Sequence, residues 1–371
     1  MRKIFVSVTN DLITDQRVFR TVDFLLENNF KVTLVGRKLQ SHYPNTHNNN
    51  LRIKRFHLLF NKGSLFYLCY NIRLFFYLIF HQKDYLLAND LDTLLANFLA
   101  SKLSKAVLVY DSHELFTQVP ELIHRPKTQK KWEKIESRIL PKIKYAYTVC
   151  QPIADYYHKK YGTDFKVVRN LPYYQSKPSG NNLLSDFAQG RKIILYQGAL
   201  NIGRGLEPLI DAIKLINSQV TLIIIGNGDI DEKLKAQVQS LSLEDSIYFL
   251  GRIPFKKLAG YTPQADLCVS LEQPGFGLSY EYSLPNKLFD YIQAEVPILG
   301  SNLSGIKSII NTYQIGKTTD NFSPQKLSDT IMSMIGNPTE IKKWKDNLQK
   351  AKKELCWENE KQILATFFPK G

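Results

Sequence analysis

Short apolar runs alternate along the chain with segments whose apolar residues recur at helical spacing. KIFVSV at 3–8 predicts a buried strand, and QRVFRTVDFLLENN after it predicts a helix. KVTLVG at 31–36 is the next strand, and YLLAN, AVLVYD, YAYTVC and FKVVRN follow at intervals long enough for intervening helices. Continuous apolar strands separated by helices indicate a parallel sheet covered on both faces. The alternation breaks at 171–190, LPYYQSKPSGNNLLSDFAQG, a stretch with Pro, Ser, Gly and Asn and no clear period, which reads as a linker. It restarts with KIILYQG (192–198), VTLIIIG (220–226), SIYFLG (246–251), ADLCVSL (265–271) and VPILGS (296–301), and residues 324–368 read as helices rich in Lys, Trp and Leu. The expected fold class is α/β, two tandem Rossmann-like doubly wound domains facing a cleft. Ligands in such sheets bind at the carboxyl ends of the strands.

Composition agrees with two globular domains. The chain has 371 residues, 44% hydrophobic and 22% charged, too many for one compact core. Cys69, Cys150, Cys268 and Cys356 are scattered, without a CxxC or Cys/His cluster, which argues against a disulfide framework or a zinc site and makes reducing cytoplasm the natural compartment. The N-terminal stretch does not read as a signal peptide.

Charge changes the picture more. Residues 1–180 hold 28 Lys+Arg against 14 Asp+Glu, whereas residues 181–371 hold 21 against 20. This asymmetry suggests an anionic surface or polymer near the first half, with solubility alone as the plainer explanation. LFYLCYNIRLFFYLIF at 65–80 is strongly apolar but only 16 residues long and interrupted by Asn71 and Arg73. A spanning helix needs about 20 apolar residues, so this one is expected to be buried or to lie on an interface. RPKTQKKWEKIESRILPKIKY at 125–145 is a basic helical segment bearing aromatics, suited to an interface or an acidic ligand, or simply solvated. No RNA- or DNA-binding motif is evident, which sets nucleic acid aside as a partner.

Candidate chemistry clusters after predicted strands. In YQGALNIGRGLEPLIDAI, Gly198, Gly203 and Gly205 permit tight turns and close approach of backbone to a ligand, and Arg204 adds charge where the next helix presents free N–H groups. This is either a phosphate cradle or a bare structural turn; it is neither a Walker motif nor GxGxxG. In LPNKLFDYIQA, Pro285 and Asn286 suit a helix start with Asn as cap, which puts Lys287 in a first turn that disfavours cations. A bound phosphate or solvent exposure would account for it. Asp290 suits the first turn and is able to accept from sugar hydroxyls. GRIPFKKL places Arg252 at another strand end, and PGFGLSYEY forms a loop of Gly, aromatics and Glu281. In the first half, Asn10, Asp11, Asp15 and Arg17 fall where a ligand-facing loop belongs, with helix capping as the alternative for Asp15. VYDSHELF puts His113 beside Asp111 and Glu114, and Asp90/Asp92 leave a metal-binding carboxylate pair open.

Taken in order, NDLITDQRV, LLANDLDTLL, VYDSHELF, VVRNLP, LYQGALNIGRGLEPLIDA, LIIIGNGD, FLGRIPFKKLAGYTPQADL and LPNKLFDYIQAEVPIL resemble the GT-B-fold retaining glycosyltransferases of the group 1, family 4 type. The resemblance covers nearly the whole chain. It implies an acceptor-side domain at 1–170, a linker at 171–190, a donor-nucleotide domain at 191–350, and a C-terminal helix at 351–371 returning to the first domain. It also implies that Arg204 and Lys287 meet the diphosphate, Asn286 and the PNK turn give backbone donors, Asp290 contacts the ribose, Gly226 and Arg252 border the base, and His113 nears the donor sugar. Tyr282 stands where the family's first acidic residue belongs, Ala199 where relatives carry arginine, and Glu295 where glycine is common.

The implied reaction is transfer of a hexosyl group, with retention, from a nucleoside diphosphate-sugar to a hydroxyl of a glycan or lipid-linked acceptor. The donor is a substrate, and neither a cofactor nor a metal is required. A non-catalytic sugar-nucleotide binder and a sugar-nucleotide epimerase of the same fold are the alternatives. The expected location is cytoplasmic, with an anionic membrane surface as a candidate partner of the basic first domain.

Overall fold

The computed structural model describes residues 1–13, 15–39, 48–176 and 182–369. The chain divides into two units, Met1–Asn170 with Glu360–Gly371, and Leu171–Asn359. Each is built on one wholly parallel sheet with helices between successive strands.

The first unit contains β1 (Lys3–Ser7), β2 (Lys31–Arg37), β3 (Leu51–Phe56), β4 (Tyr85–Asn89), β5 (Val107–Ser112), β6 (Tyr145–Thr148) and β7 (Lys166–Val167), in the spatial order β3-β2-β1-β4-β5-β6-β7. The chain winds outward from β1 on one side and returns to β4 on the other, so the switch point lies between β1 and β4. YLLAN of β4 is buried throughout, as expected of a strand covered on both faces. β3, LRIKRF, escapes the apolar pattern because it is an edge strand, where charges are tolerated. The end of the chain belongs to this unit: Phe368 is buried edge-on against Phe30 and Tyr85, and Glu360 pairs with Arg169 at 2.7 Å.

The second unit contains β8 (Lys192–Gln197), β9 (Val220–Ile225), β10 (Ile247–Gly251), β11 (Leu267–Ser270), β12 (Ile298–Ser301) and β13 (Gly316–Thr319), ordered β10-β9-β8-β11-β12-β13. Its switch point lies between β8 and β11. VTLIII of β9 is wholly buried, and one core layer joins Ile194, Leu222 and Val269 to Leu209 and Ile213 of the helix Leu206–Lys214. A second layer on the other face includes Leu195, Ile223, Leu288 and Ile292. Leu171 and Leu184, from the stretch read as a linker, are buried in that layer, and residues 177–181 lie outside the described ones.

Candidate functional site

The second unit's switch point gathers three segments. The first follows β8. Gly198 N–H donates to Ile225 O at 2.9 Å, and a Cβ on Gly226 would fall 1.8 Å from Gly198 O, so the turns after β8 and β9 touch through backbone that only glycine permits. The same loop ends on Gly205, with φ +72, where a Cβ would lie 2.2 Å from Leu271 O. Gln273 N–H bonds Gly203 O at 2.8 Å and fixes the loop to the second segment, which leaves β11. The missing side chain at Gly205 therefore lets Arg204 reach that segment.

What Arg204 reaches is Glu272, a residue the sequence reading did not single out. Arg204 Nη1 lies 3.1 Å from Glu272 Oε1, and the carboxylate is fully buried. The third segment brings Lys287 to the same oxygen at 2.9 Å. Ser270 Oγ donates to the other oxygen at 2.7 Å. Lys287 Nζ also sits 4.0 Å from the centroid of the Tyr196 ring, and Arg204 covers Tyr280 at 4.6 Å. Arg204 Nε is buried without a hydrogen-bond partner among the described residues.

Lys287 is the second residue of the helix Asn286–Gln293. Pro285, not Asn286, occupies the cap, because its extended ψ of 135° turns the chain into the helix. A cation there opposes the helix dipole, and Glu272 supplies its negative partner. Burial alone would raise the Glu272 pKa, yet Lys287 and Arg204 overcome it and hold the group down at about 2. Burial is the largest influence on Lys287 and, with Arg204, outweighs Glu272 to bring its pKa down to about 8. Two cations thus face one carboxylate at the carboxyl edge of the sheet.

The remaining candidates of this unit occupy other positions. Asp290 accepts from Gln197 Nε2 at 3.2 Å and lines a small recess with Gln175, Gln197 and Thr262. Arg252 is exposed after β10, two strands from β8 at the sheet edge. Glu295 has φ +59, which explains why glycine suits that position; its carboxylate is held by Lys352.

The first unit gathers a different cluster at its own switch point. His113 lies between two carboxylates, with Nδ1 3.2 Å from Asp90 Oδ2 and Nε2 3.2 Å from Asp111 Oδ2. Its backbone N–H donates to Asp90 Oδ1 at 2.8 Å. Asp90 has φ +58 with ψ 166, a backbone region occupied essentially by glycine. Burial would lower the His113 pKa, but Asp90 and Asp111 carry it up to about 10, so the imidazole is a cation near neutrality. Burial raises Asp90 to about 7 and Asp92 to about 6. Asp92 accepts from Thr9 Oγ1 at 2.5 Å. Among the described residues no group of three or more His, Cys, Asp or Glu is arranged to hold a metal ion.

Two residues of the stretch after β1 take structural roles. Asp15 caps the helix Gln16–Glu27 by accepting from Val18 N–H. Arg17 is buried in a forked pair with Asp111, at 2.9 Å and 2.7 Å, and also donates to Val168 O. It is thus part of the unit's interior rather than of an open loop.

Residues 185–351 match the family of glycosyl transferases group 1. The chain is 33% identical over 82 residues, 22% of each chain, to the N-acetylgalactosamine-N,N'-diacetylbacillosaminyl-diphospho-undecaprenol 4-alpha-N-acetylgalactosaminyltransferase of Campylobacter jejuni. It spans 40% or less of the length of the curated relatives it matches. Among solved structures, sucrose-phosphate synthase from Thermosynechococcus elongatus superposes with a TM-score of 0.80 at 15% identity, over 99% of this chain and 98% of that one. Anabaena HepE in complex with UDP superposes with a TM-score of 0.73 at 17% identity, over 99% of both chains. The family match lies wholly within the second unit, and the GT-B fold runs the whole length of the chain.

Proposed function

We propose that the chain is a retaining glycosyltransferase moving a hexosyl group from a nucleoside diphosphate-sugar to a hydroxyl of a glycan or lipid-linked acceptor. Surface polysaccharide or glycoconjugate synthesis is the setting, at the inner face of the plasma membrane. The observation that carries this reading is the convergence of Arg204 and Lys287 on Glu272 beside the glycine turn of the switch point. Departure of a nucleoside diphosphate builds negative charge on its distal phosphate. Two fixed cations and the amides opening the helices Leu206–Lys214 and Asn286–Gln293 are suited to stabilise that charge without rearrangement. The acceptor hydroxyl is the nucleophile, and no metal or cofactor enters the step. Asp290 serves the ribose, Gly226 and Arg252 the base, and His113 the donor sugar. HepE captured with UDP supports the donor class, and the diphospho-undecaprenol in the Campylobacter relative's name supports a lipid-linked acceptor.

Incubation with UDP-, GDP- and ADP-sugars tests the proposal. Acceptor-dependent release of diphosphate, with the product keeping the donor's anomeric configuration, is expected. Donor isomerisation without acceptor would identify an epimerase, and binding without turnover a non-catalytic homologue. Full donor affinity in both Arg204→Met and Lys287→Met would overturn the phosphate assignment.

A further inference from the structure

The amino ends of the first unit's strands carry cations in register. Lys3 opens β1, Lys31 opens β2, and the two are Cα partners in the parallel pairing. Thr33, two residues after Lys31, pairs with Phe5 of β1 and with Arg52 of β3. Partnered residues, and residues two apart along a strand, share a face of the sheet. Lys3, Lys31 and Arg52 therefore stand on one face across three adjacent strands, spaced about 4.8 Å from strand to strand. It is the face packed by the helix Gly63–Ile79, since Phe5 meets Tyr77 and His81 edge-on at 5.9 Å and 6.1 Å. All three cations are exposed.

Like charges on neighbouring strands repel. Among the described residues no carboxylate pairs with any of these three side chains. Lys3 Nζ donates to the neutral Gln82 Oε1 at 3.0 Å. Charge on an edge strand guards against edge-to-edge pairing, which accounts for Arg52 on β3, but β1 and β2 are interior strands. Nor do the three serve the end of the helix Gly63–Ile79. Its carbonyls at Tyr77 and Leu78 are taken by His81 Nδ1 and Lys83 Nζ, each at 2.7 Å.

The three cations line one cleft of about 400 Å³ whose wall has no carboxylate. That is the size of a small-molecule site. Asn50, Gln82 and Phe80, the last 78% exposed, line it as well. The adjoining cleft beyond Gln82 has one carboxylate, Asp84, whose Oδ2 accepts from the backbone N–H of Lys3 at 2.7 Å.

We propose that this cleft binds a small phosphorylated molecule, with its phosphoryl oxygens on Lys3, Lys31 and Arg52. A phosphoryl group suits three clustered donors better than a carboxylate does, because it offers three acceptor oxygens and close to two charges. The cleft lies at the amino ends of the strands, whereas His113 and Asp90 follow their carboxyl ends. It belongs to the first unit alone and does not depend on the donor reading above.

Calorimetric titration of the full chain at about 0.15 M salt tests it, with inorganic diphosphate, glucose 6-phosphate and AMP as probes and glucose as the uncharged control. Saturable binding of the phosphorylated probes, and none of glucose, is expected. An ester that binds more tightly than diphosphate identifies an organic phosphate as the ligand, and the reverse order a free phosphate; both support the site. Lys31→Gln with Arg52→Gln is expected to weaken binding about tenfold or more. Arg204→Met with Lys287→Met is expected to leave it unchanged. If the first variant loses Tm, Arg52→Gln alone, on the exposed edge strand, gives the comparison. UDP titrated into the same proteins tests the donor reading separately. The proposal is overturned if no phosphorylated probe saturates below about 10 mM, or if Lys31→Gln/Arg52→Gln binds as the wild type does. Binding lost only in Arg204→Met/Lys287→Met also overturns it, by assigning the anion to the second unit.

Discussion

Lys287 Nζ lies 2.9 Å from Glu272 Oε1, with the lysine side chain 8% exposed and the carboxylate wholly buried. This pair turns an unfavourable cation at a helix start into a fixed positive group, because the carboxylate neutralises it in the interior while its other neighbour, Arg204, keeps the local charge positive.

The pair makes nucleotide affinity pH-dependent. If Lys287 meets the diphosphate as proposed, the anion binds its protonated form, and in the free protein that proton is lost as pH rises through about 8. Affinity for the nucleoside diphosphate is therefore expected to be level below that value and to fall above it, by up to about tenfold per pH unit. Calorimetric titration from about pH 6.5 to about 9.5 checks this. Lys287→Met should bind weakly throughout and show no such limb; a limb that persists in the variant assigns the titration to another group.

Glu272→Gln separates stability from binding. Losing the carboxylate charge leaves Arg204 and Lys287 buried side by side without their shared anion, at a cost of about 3 kcal/mol in unfolding free energy. The same change makes a phosphate the best remaining partner for both cations. A saturating nucleoside diphosphate should thus raise Tm by more in the variant than in the wild type. Equal shifts in the two proteins would mean that the ligand does not meet this pair.

Two glycines test the close approach that builds the loop. Gly226 has φ +147 and would set a Cβ 1.8 Å from Gly198 O, whereas Gly251 has φ +64 with nothing within 4 Å of its Cβ position. Gly251→Ala is expected to lose about 1 kcal/mol from backbone strain alone. Gly226→Ala adds overpacking to strain and should lose about 3 kcal/mol or more. Urea unfolding of both variants gives the comparison.

How much of this was legible follows from the forces involved. Strands buried on both faces are written as apolar runs, so β9 and β4 show in the sequence as plainly as in the fold. β3, LRIKRF, and β13, GKTT, lie at sheet edges, where half-exposure admits charge and glycine, and no periodicity betrays them. The unease of a lysine at a helix start was visible from Pro285-Asn286-Lys287 alone. Its partner was not, because Glu272 reaches Lys287 only once β11 and β12 pair in parallel, and Arg204 is 68 positions from Glu272 in the chain. The signal available was an acid two residues beyond a strand's carboxyl end. Arg17 was misread for the same reason: its partner Asp111 is 94 positions away.

His113 yields the last expectation. Held between Asp90 and Asp111, its pKa is raised to about 10, so its imidazole resonances should not titrate between about pH 5 and about 8 by NMR. A raised histidine pKa contributes stability that is complete below the ordinary value of about 6.5 and is lost as pH rises toward the folded one. The wild type is therefore expected to lose Tm between about pH 6.5 and about 10 through this group. Asp90→Asn removes the carboxylate that raises the pKa most, while Asp111 stays paired with Arg17. In that variant the imidazole should titrate at least about one pH unit lower, and the alkaline loss of Tm attributable to His113 should end correspondingly sooner. An imidazole that titrates near its ordinary value in the wild type would show that the two carboxylates do not hold it charged, and with that the case for a cationic His113 in the first unit would fail.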